Sequence, residues 1–228
     1  MIIESSRVEV AAMKIEWLGH ACFLITTTGG IRIVTDPFNE EVGYPLPHVE
    51  ADIITVSHQH FDHNAVSVVG GRPQVVEGPG EHRLEGVSVR GVSTFHDKEE
   101  GRKRGTNTVF VIAVDGLNVC HLGDLGHLLS PEQVSLIGPV DVLLIPVGGT
   151  YTIDAGEAAE TVAVLRPRVV IPMHYKTDYI NFPITGVDEF TGNFKQVAHR
   201  DFFEATGDTG LGEDQVVVLA FAGGKTGA

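Results

Sequence analysis

Short runs of Val, Ile and Leu, interrupted by Gly, Pro and Asp, recur along the whole chain. Runs of this length bounded by turn residues predict strands rather than long helices. Residues 14–18, 21–27 and 31–35 form three such runs, with Gly29-Gly30 as a hairpin turn between the second and third. Further strands are predicted over 51–57, 74–77 and, with clear alternation, 87–94. Residues 108–114 and 117–121 flank Asp115-Gly116, a strong two-residue hairpin signal. The uninterrupted apolar runs 142–146 and 169–172 predict strands buried on both faces, and 215–221 closes the series. Helix signals are fewer. Ser130-Pro131-Glu132-Gln133 combines an N-cap, Pro at the first helical position and a capping-box Gln. Asp154-Ala155-Gly156-Glu157 opens a second helix, running to about residue 165 and ended by Pro167. A weaker helical pattern covers 188–197. With no repeat and no linker-like stretch, the pattern predicts one α/β (α+β) domain over residues 1–228, its sheets stacked and its helices outside.

Composition agrees with a packed domain. The 228 residues are 43% hydrophobic and 20% charged, and a fold of this size buries roughly 70% of the surface its unfolded chain exposes. No apolar run approaches the ~20 residues of a membrane span. The start MIIESSRVEV lacks the basic region of a secretory signal. Cys22 and Cys120, the two cysteines, are far apart and form no CxxC, which favours a reducing compartment. A cytoplasmic protein is expected. Residues 1–12 precede a second Met, Met13, and are expected to be an extra strand or a loose end. Sixteen Lys and Arg against thirty Asp and Glu give a net charge of −14, so neither nucleic acid nor an anionic membrane is an expected partner.

Eleven histidines are the unusual number, and their placement carries chemistry. The predicted strand 51–57 runs into His58-Gln59-His60-Phe61-Asp62-His63, an HxHxDH run. Extended backbone puts residues two apart on one side, so His58 and His60 can converge, while Asp62 and His63 can point to a neighbouring position. Imidazole and carboxylate together suit Zn²⁺ or another borderline ion.

An HxHxDH run after a buried strand resembles the metallo-β-lactamase superfamily, as does Trp17-Leu18-Gly19-His20-Ala21 followed by Asp36-Pro37. The opening motif is similar to one branch, which holds ascorbate-6-phosphate lactonase-like and N-acylphosphatidylethanolamine phospholipase D-like hydrolases, and the resemblance covers about residues 14–178. It implies a four-layer αββα sandwich with a dinuclear metal site at one edge. It also implies His58, His60 and His96 at one ion, Asp62, His63 and His174 at the other, and Asp124 between them. His96 is preferred over His82, which sits in a turn-like Pro-Gly-Glu stretch. The implied cofactors are two divalent metal ions, zinc first, with manganese or iron as alternatives. Two dications acidify a shared water to a hydroxide nucleophile, and Asp62 can orient it. A bound water, His121 and His20 are the candidate proton donors, although His20 and His121 also suit supporting or core roles. His127 flanks Asp124 as well, and Asp36 is expected to tie down a loop.

The stretch 98–105 holds four of the sixteen basic residues two positions past His96. Arg102, Lys103 and Arg104 are therefore a candidate mobile clamp for a phosphate or carboxylate, with Lys176 as a further candidate. Their plainer role is a solvated loop neutralising Glu99 and Glu100. The expected function is metal-dependent hydrolysis of a small anionic lactone, ester or phosphodiester, with assembly of like copies left open. The alternatives are a nuclease or a di-iron redox enzyme on the same scaffold, or a metal-binding module without catalysis.

Overall fold

A computed structural model describes residues 12–84, 86–207, 211 and 215–224. Nearly all of the stretch 1–12, expected as a strand or a loose end, lies outside them. The first sheet has six strands in the order β13-β1-β2-β3-β4-β5. Its members are β1 (Met13–Gly19), β2 (Cys22–Thr26), β3 (Arg32–Thr35), β4 (Glu50–Val56), β5 (Gly70–Glu77) and β13 (Phe203–Ala205). The second has eight, ordered β12-β14-β11-β10-β9-β8-β7-β6. These are β6 (Gly80–Leu84), β7 (Val87–Phe95), β8 (Thr106–Val114), β9 (Leu117–His121), β10 (Val142–Pro146), β11 (Val169–Met173), β12 (Val197–Arg200) and β14 (Val216–Leu219).

Local chemistry accounts for much of this. β10 and β11 pair in parallel and every residue of both is buried, as their unbroken apolar runs require. Asp115 and Gly116 both adopt positive φ, 53° and 78°, the pair of left-handed residues a tight β8–β9 hairpin needs. Helix α1 (Pro131–Ile137) carries the full Ser130–Gln133 capping box, and α2 (Ala155–Leu165) the Asp154–Glu157 one. At the end of α2, Arg166 takes a left-handed conformation ahead of Pro167. The helices are few and short, with α1 packed on β7 and α2 on α3 (Asp188–Thr191).

Three sequence expectations are corrected. The helix over 188–197 stops at Thr191, and the chain then forms β12 beside β14. The turn-like stretch around His82 is strand β6, with His82 opposite Val89. β5 starts four residues before the predicted strand, taking in Gly70, Gly71 and Pro73. Its place at the sheet edge explains why they are tolerated there. One contiguous cluster of buried side chains contains residues of both sheets, among them Phe23, Ile33 and Ile54 of the first and Phe110, Ile112 and Leu144 of the second.

The sheet pairings set the position of the site. Antiparallel β7–β8–β9 followed by parallel β9–β10–β11 makes β7, β9 and β11 run the same way. Their C-terminal ends therefore lie along one edge, and they lead to His96, Asp124 and His174. The end of β4 is joined to that edge by a backbone hydrogen bond, Thr108 N–H donating to Ser57 C=O at 2.9 Å.

Candidate metal centre

Tight backbone and buried amides hold the loops at this edge. Gly123 precedes Asp124 with φ 55°, and a Cβ there would lie 2.4 Å from Asn107 Oδ1 and 2.6 Å from Ser57 Cβ. Asn107 occupies the space that results. Its Oδ1 accepts from Asp124 N–H at 2.9 Å, and its Nδ2 donates to Leu122 C=O at 2.9 Å and Thr94 Oγ1 at 2.8 Å. His20, Asp36 and His174 also have positive φ, 53°, 39° and 51°. Such backbone is uncommon outside glycine and is concentrated where a fold aims side chains at a site.

Three groups of ligand-capable atoms result, of which one, Asp36 with His58 and His63, overlaps the other two. Of those two, His58, His60 and His96 form the first, and His20, Asp62, His63 and His174 the second, each with its ligand atoms within 4.8 Å of one another. In the first, His58 Nε2 and His60 Nδ1 are 3.1 Å apart. In the second, His20 Nε2 and Asp62 Oδ2 are 3.2 Å apart. Asp124 stands between the groups. Its Oδ2 lies 3.2 Å from His63 Nε2, 3.3 Å from His96 Nε2, 3.4 Å from His174 Nε2 and 4.0 Å from His58 Nε2.

Behind the groups, Asp36 Oδ1 accepts from Ser57 N–H at 2.8 Å. Asp36 Oδ2 accepts from Ser57 Oγ at 2.5 Å and from His63 Nδ1 at 2.8 Å. Since Ser57 Oγ donates to Asp36, it accepts from His58 Nδ1 at 2.9 Å. His58 therefore carries its proton on Nδ1 with its Nε2 lone pair facing the cluster, while His63 Nδ1–H is held by Asp36 and its Nε2 is turned to Asp124.

The charges fit a cation. Burial, then His174, lowers His20 to about 4, and burial with His63 lowers His58 to about 3, so both imidazoles are neutral near pH 7. Burial alone would raise Asp124, but His174 and His63 outweigh it and hold the carboxyl well below the usual range. Burial opposes charge on His63 too, yet Asp124 and Asp62 push it well above its ordinary value. Two polar atoms of the cluster, His63 Nε2 and Asp124 Oδ1, are buried without a hydrogen-bond partner. Native interiors seldom leave such atoms unpaired, and imidazole with carboxylate is the donor set of zinc and similar ions. The residues fit a metal.

A sequence profile described as "Beta-lactamase superfamily domain" matches residues 14–174. A "UPF0173 metal-dependent hydrolase" of Thermococcus onnurineus is 33% identical over 195 residues, covering 72% of this chain and 85% of its own length. The chain belongs to this family of metal-dependent hydrolases. An Archaeoglobus fulgidus relative of the same name is 30% identical, over 91% of this chain and 96% of its own. A crystal structure from Thermotoga maritima, assigned to the metallo-β-lactamase superfamily, superposes with a TM-score of 0.78. It is 46% identical and covers 91% of this chain and 98% of its own. A metallo hydrolase of Ignicoccus hospitalis shares the fold at a TM-score of 0.62 and 23% identity, over 80% of this chain and 90% of its own.

Other sequence-predicted residues of the hydrolase lie elsewhere. His121 is fully buried; its Nε2–H donates to Ala21 C=O at 2.8 Å and its Nδ1 accepts from Gly123 N–H at 3.2 Å. With both nitrogens engaged by backbone, it cannot serve as the proton donor and instead props the turn before Asp124. Lys176 is corrected as well. Its Nζ donates to the carbonyls of Ile180 and Phe182, so it fastens a loop rather than meeting substrate. His127 Nε2 accepts from Phe95 N–H at 3.1 Å, and His82 belongs to neither group.

The basic stretch is a loop gathered around the Asp97 carboxylate. Asp97 accepts from the backbone N–H groups of Glu99, Gly101, Lys103 and Arg104 at 2.7–3.0 Å. Burial opposes its charge, but these donors hold its carboxyl down at about 2. Lys98 pairs with Glu157 at 2.5 Å and Lys103 with Glu99, while Arg102 is exposed. Sequence reasoning missed Asn107 and the link from Asp36 to His63. For Asp36 the signal was the Asp-Pro pair; for Asn107 none stood out. Among the described residues no helix is long and apolar enough to cross a membrane.

Proposed function

We propose that this hydrolase uses two divalent cations, zinc in the first place, to cleave a lactone, ester or phosphodiester bond in a small anionic molecule. His58, His60 and His96 would hold one ion and Asp62, His63 and His174 the other, with Asp124 shared and His20 supporting Asp62. The observation that carries this reading is the position of Asp124 Oδ2, within 3.4 Å of imidazoles of both groups. Zinc is favoured by the imidazole-rich donor set, and zinc dependence is also part of the Thermotoga maritima relative's name.

Bound cations of this kind polarise a carbonyl or phosphoryl oxygen and acidify a water to about neutral pKa. The chain's own contribution is orientation. Asp62 is 14% exposed against 2% for Asp124, so it is the carboxylate placed to accept a hydrogen bond from an attacking water. His20, buried behind it, fixes its angle.

Elemental analysis of the purified protein, joined to a screen over lactones, thioesters, phosphodiesters and phosphosugars, tests the reading. Two zinc ions per chain and turnover of at least one class are expected. An anomalous-scattering map of zinc-soaked crystals with no peak among these side chains would overturn it.

A further inference from the structure

Beside the cluster lies a hollow of about 640 Å³ whose lining includes His58, Gln59, His60 and Arg104. A second, of about 230 Å³, is lined by Tyr151, Lys98, Glu157 and again Arg104. Arg104 thus stands on the wall between them. Its guanidinium carbon is 5.3 Å from the centre of the Tyr151 ring, a distance at which the ring face attracts a cation and fixes its position. Tyr151 in turn meets Phe182 edge-on at 6.1 Å, and Phe182 meets His20 at 5.8 Å. A continuous wall therefore runs from the second ligand group to this guanidinium.

Of the neighbouring cations, Arg102 is exposed and lines neither hollow. Lys98 and Lys103 each face a glutamate, whereas no carboxylate among the described residues pairs with Arg104. Its backbone is locked, since Arg104 N–H donates to Asp97 at 2.8 Å. A chain of net charge −14 has many acids to offer an arginine, and this one is left with an aromatic face only. We infer that Arg104, held by Tyr151, binds a carboxylate or phosphate of the substrate set apart from the bond being cleaved. The guanidinium fork suits such oxyanions. This narrows the expected three-residue clamp to one residue. It rests on the two-cation reading, because the second end of the substrate is taken to lie at the ligand groups.

The test uses zinc-loaded protein and calorimetric titration, without turnover. Straight-chain dicarboxylates of three to six carbons are compared with monocarboxylates of equal length, and 3-phosphonopropionate serves as the phosphorus analogue. One carboxylate can engage the zinc centre in every ligand; only the second can reach Arg104. At the best length the dicarboxylate should bind about 10–100-fold more tightly than its monocarboxylate partner, the range of a charge-assisted pair. Arg104→Ala should erase that preference while zinc content stays at the wild-type value. Arg104→Lys should keep part of it, and Tyr151→Leu should reduce it with Tyr151→Phe near wild type. Lys195→Ala, an exposed charge outside both hollows, should leave it unchanged. A tighter phosphonopropionate would point to a phosphate, a tighter dicarboxylate to a carboxylate. Zinc-loaded protein that shows no dicarboxylate preference, or keeps it in Arg104→Ala, overturns the role of Arg104 alone. Protein that retains no zinc overturns the two-cation reading and this inference with it.

Discussion

The two ligand groups share Asp124 but are built differently. The first is three imidazoles, one of which, His60, is exposed and faces the larger hollow. The second includes a carboxylate, and its His20, His63 and His174 are all buried. Support differs too. Asp36 bonds His63 of the second group directly, but reaches His58 of the first only through Ser57. Burial and direct charge support favour a tightly held ion, whereas an open imidazole set favours access by solvent and substrate. On the two-cation proposal, the first group would be the exchangeable, substrate-facing half and the second the anchor.

Removing the shared residue should have the largest effect. Asp124→Ala takes away the carboxylate that both groups face, and leaves His63 beside Asp62 and Asp36 alone. Metal content should fall to one ion or less by elemental analysis, with hydrolysis of any generic ester or phosphodiester down at least about 10³-fold. Full occupancy by two ions would show that Asp124 does not join the halves.

A smaller change should separate the halves. Asp36→Asn keeps the size of the side chain but loses the charge that holds the proton on His63 Nδ1. Substitutions of this kind lower metal affinity about 10–100-fold. Chelator competition should show that loss at the tighter ion and a weaker one at the other, because Ser57 only relays the effect. Ser57→Ala should reverse the order, touching His58 and sparing His63. Equal losses at both ions in both variants would remove the distinction between anchor and exchangeable half.

The same contrast explains what could be read in advance. The HxHxDH run, both capping boxes and the Asp115-Gly116 turn are local. Their chemistry is complete within about six residues, so composition and spacing sufficed. His20 was placed near the site only through its Trp-Leu-Gly-His context, and its contact with Asp62 spans 42 residues. The three-residue β13 pairs with β1 across some 190 positions, and no pattern within so short a strand announces such a partner. Lys176 misled for a related reason. Its two-residue distance from His174 suggested substrate, but the loop folds back and offers it carbonyls. Charge near a site in sequence says little about which way a long side chain is satisfied.

The smallest effect concerns what stands behind the anchor. Tyr44 packs against Trp17, Phe38, Tyr179 and Phe221. A Cβ on Gly19, the residue before His20, would fall 2.8 Å from its ring. Its hydroxyl is 2.8 Å from Thr177 Oγ1. Burial raises its phenol to about 12, against about 10 in an unfolded chain. Below pH 10 both states keep the proton and the shift contributes nothing. Above pH 10 the unfolded state loses its proton first, so the fold loses about 1.4 kcal/mol per pH unit until the folded phenol also titrates. Tyr44→Phe lacks this term. At pH 7 it should be less stable by about 1 kcal/mol for the lost hydrogen bond, with unchanged metal content. By pH 11 that deficit should have vanished or reversed in urea unfolding. A deficit that stays constant from pH 7 to 11 would mean that water reaches the phenol, and that the anchor half is less dry behind His20 than its packing implies.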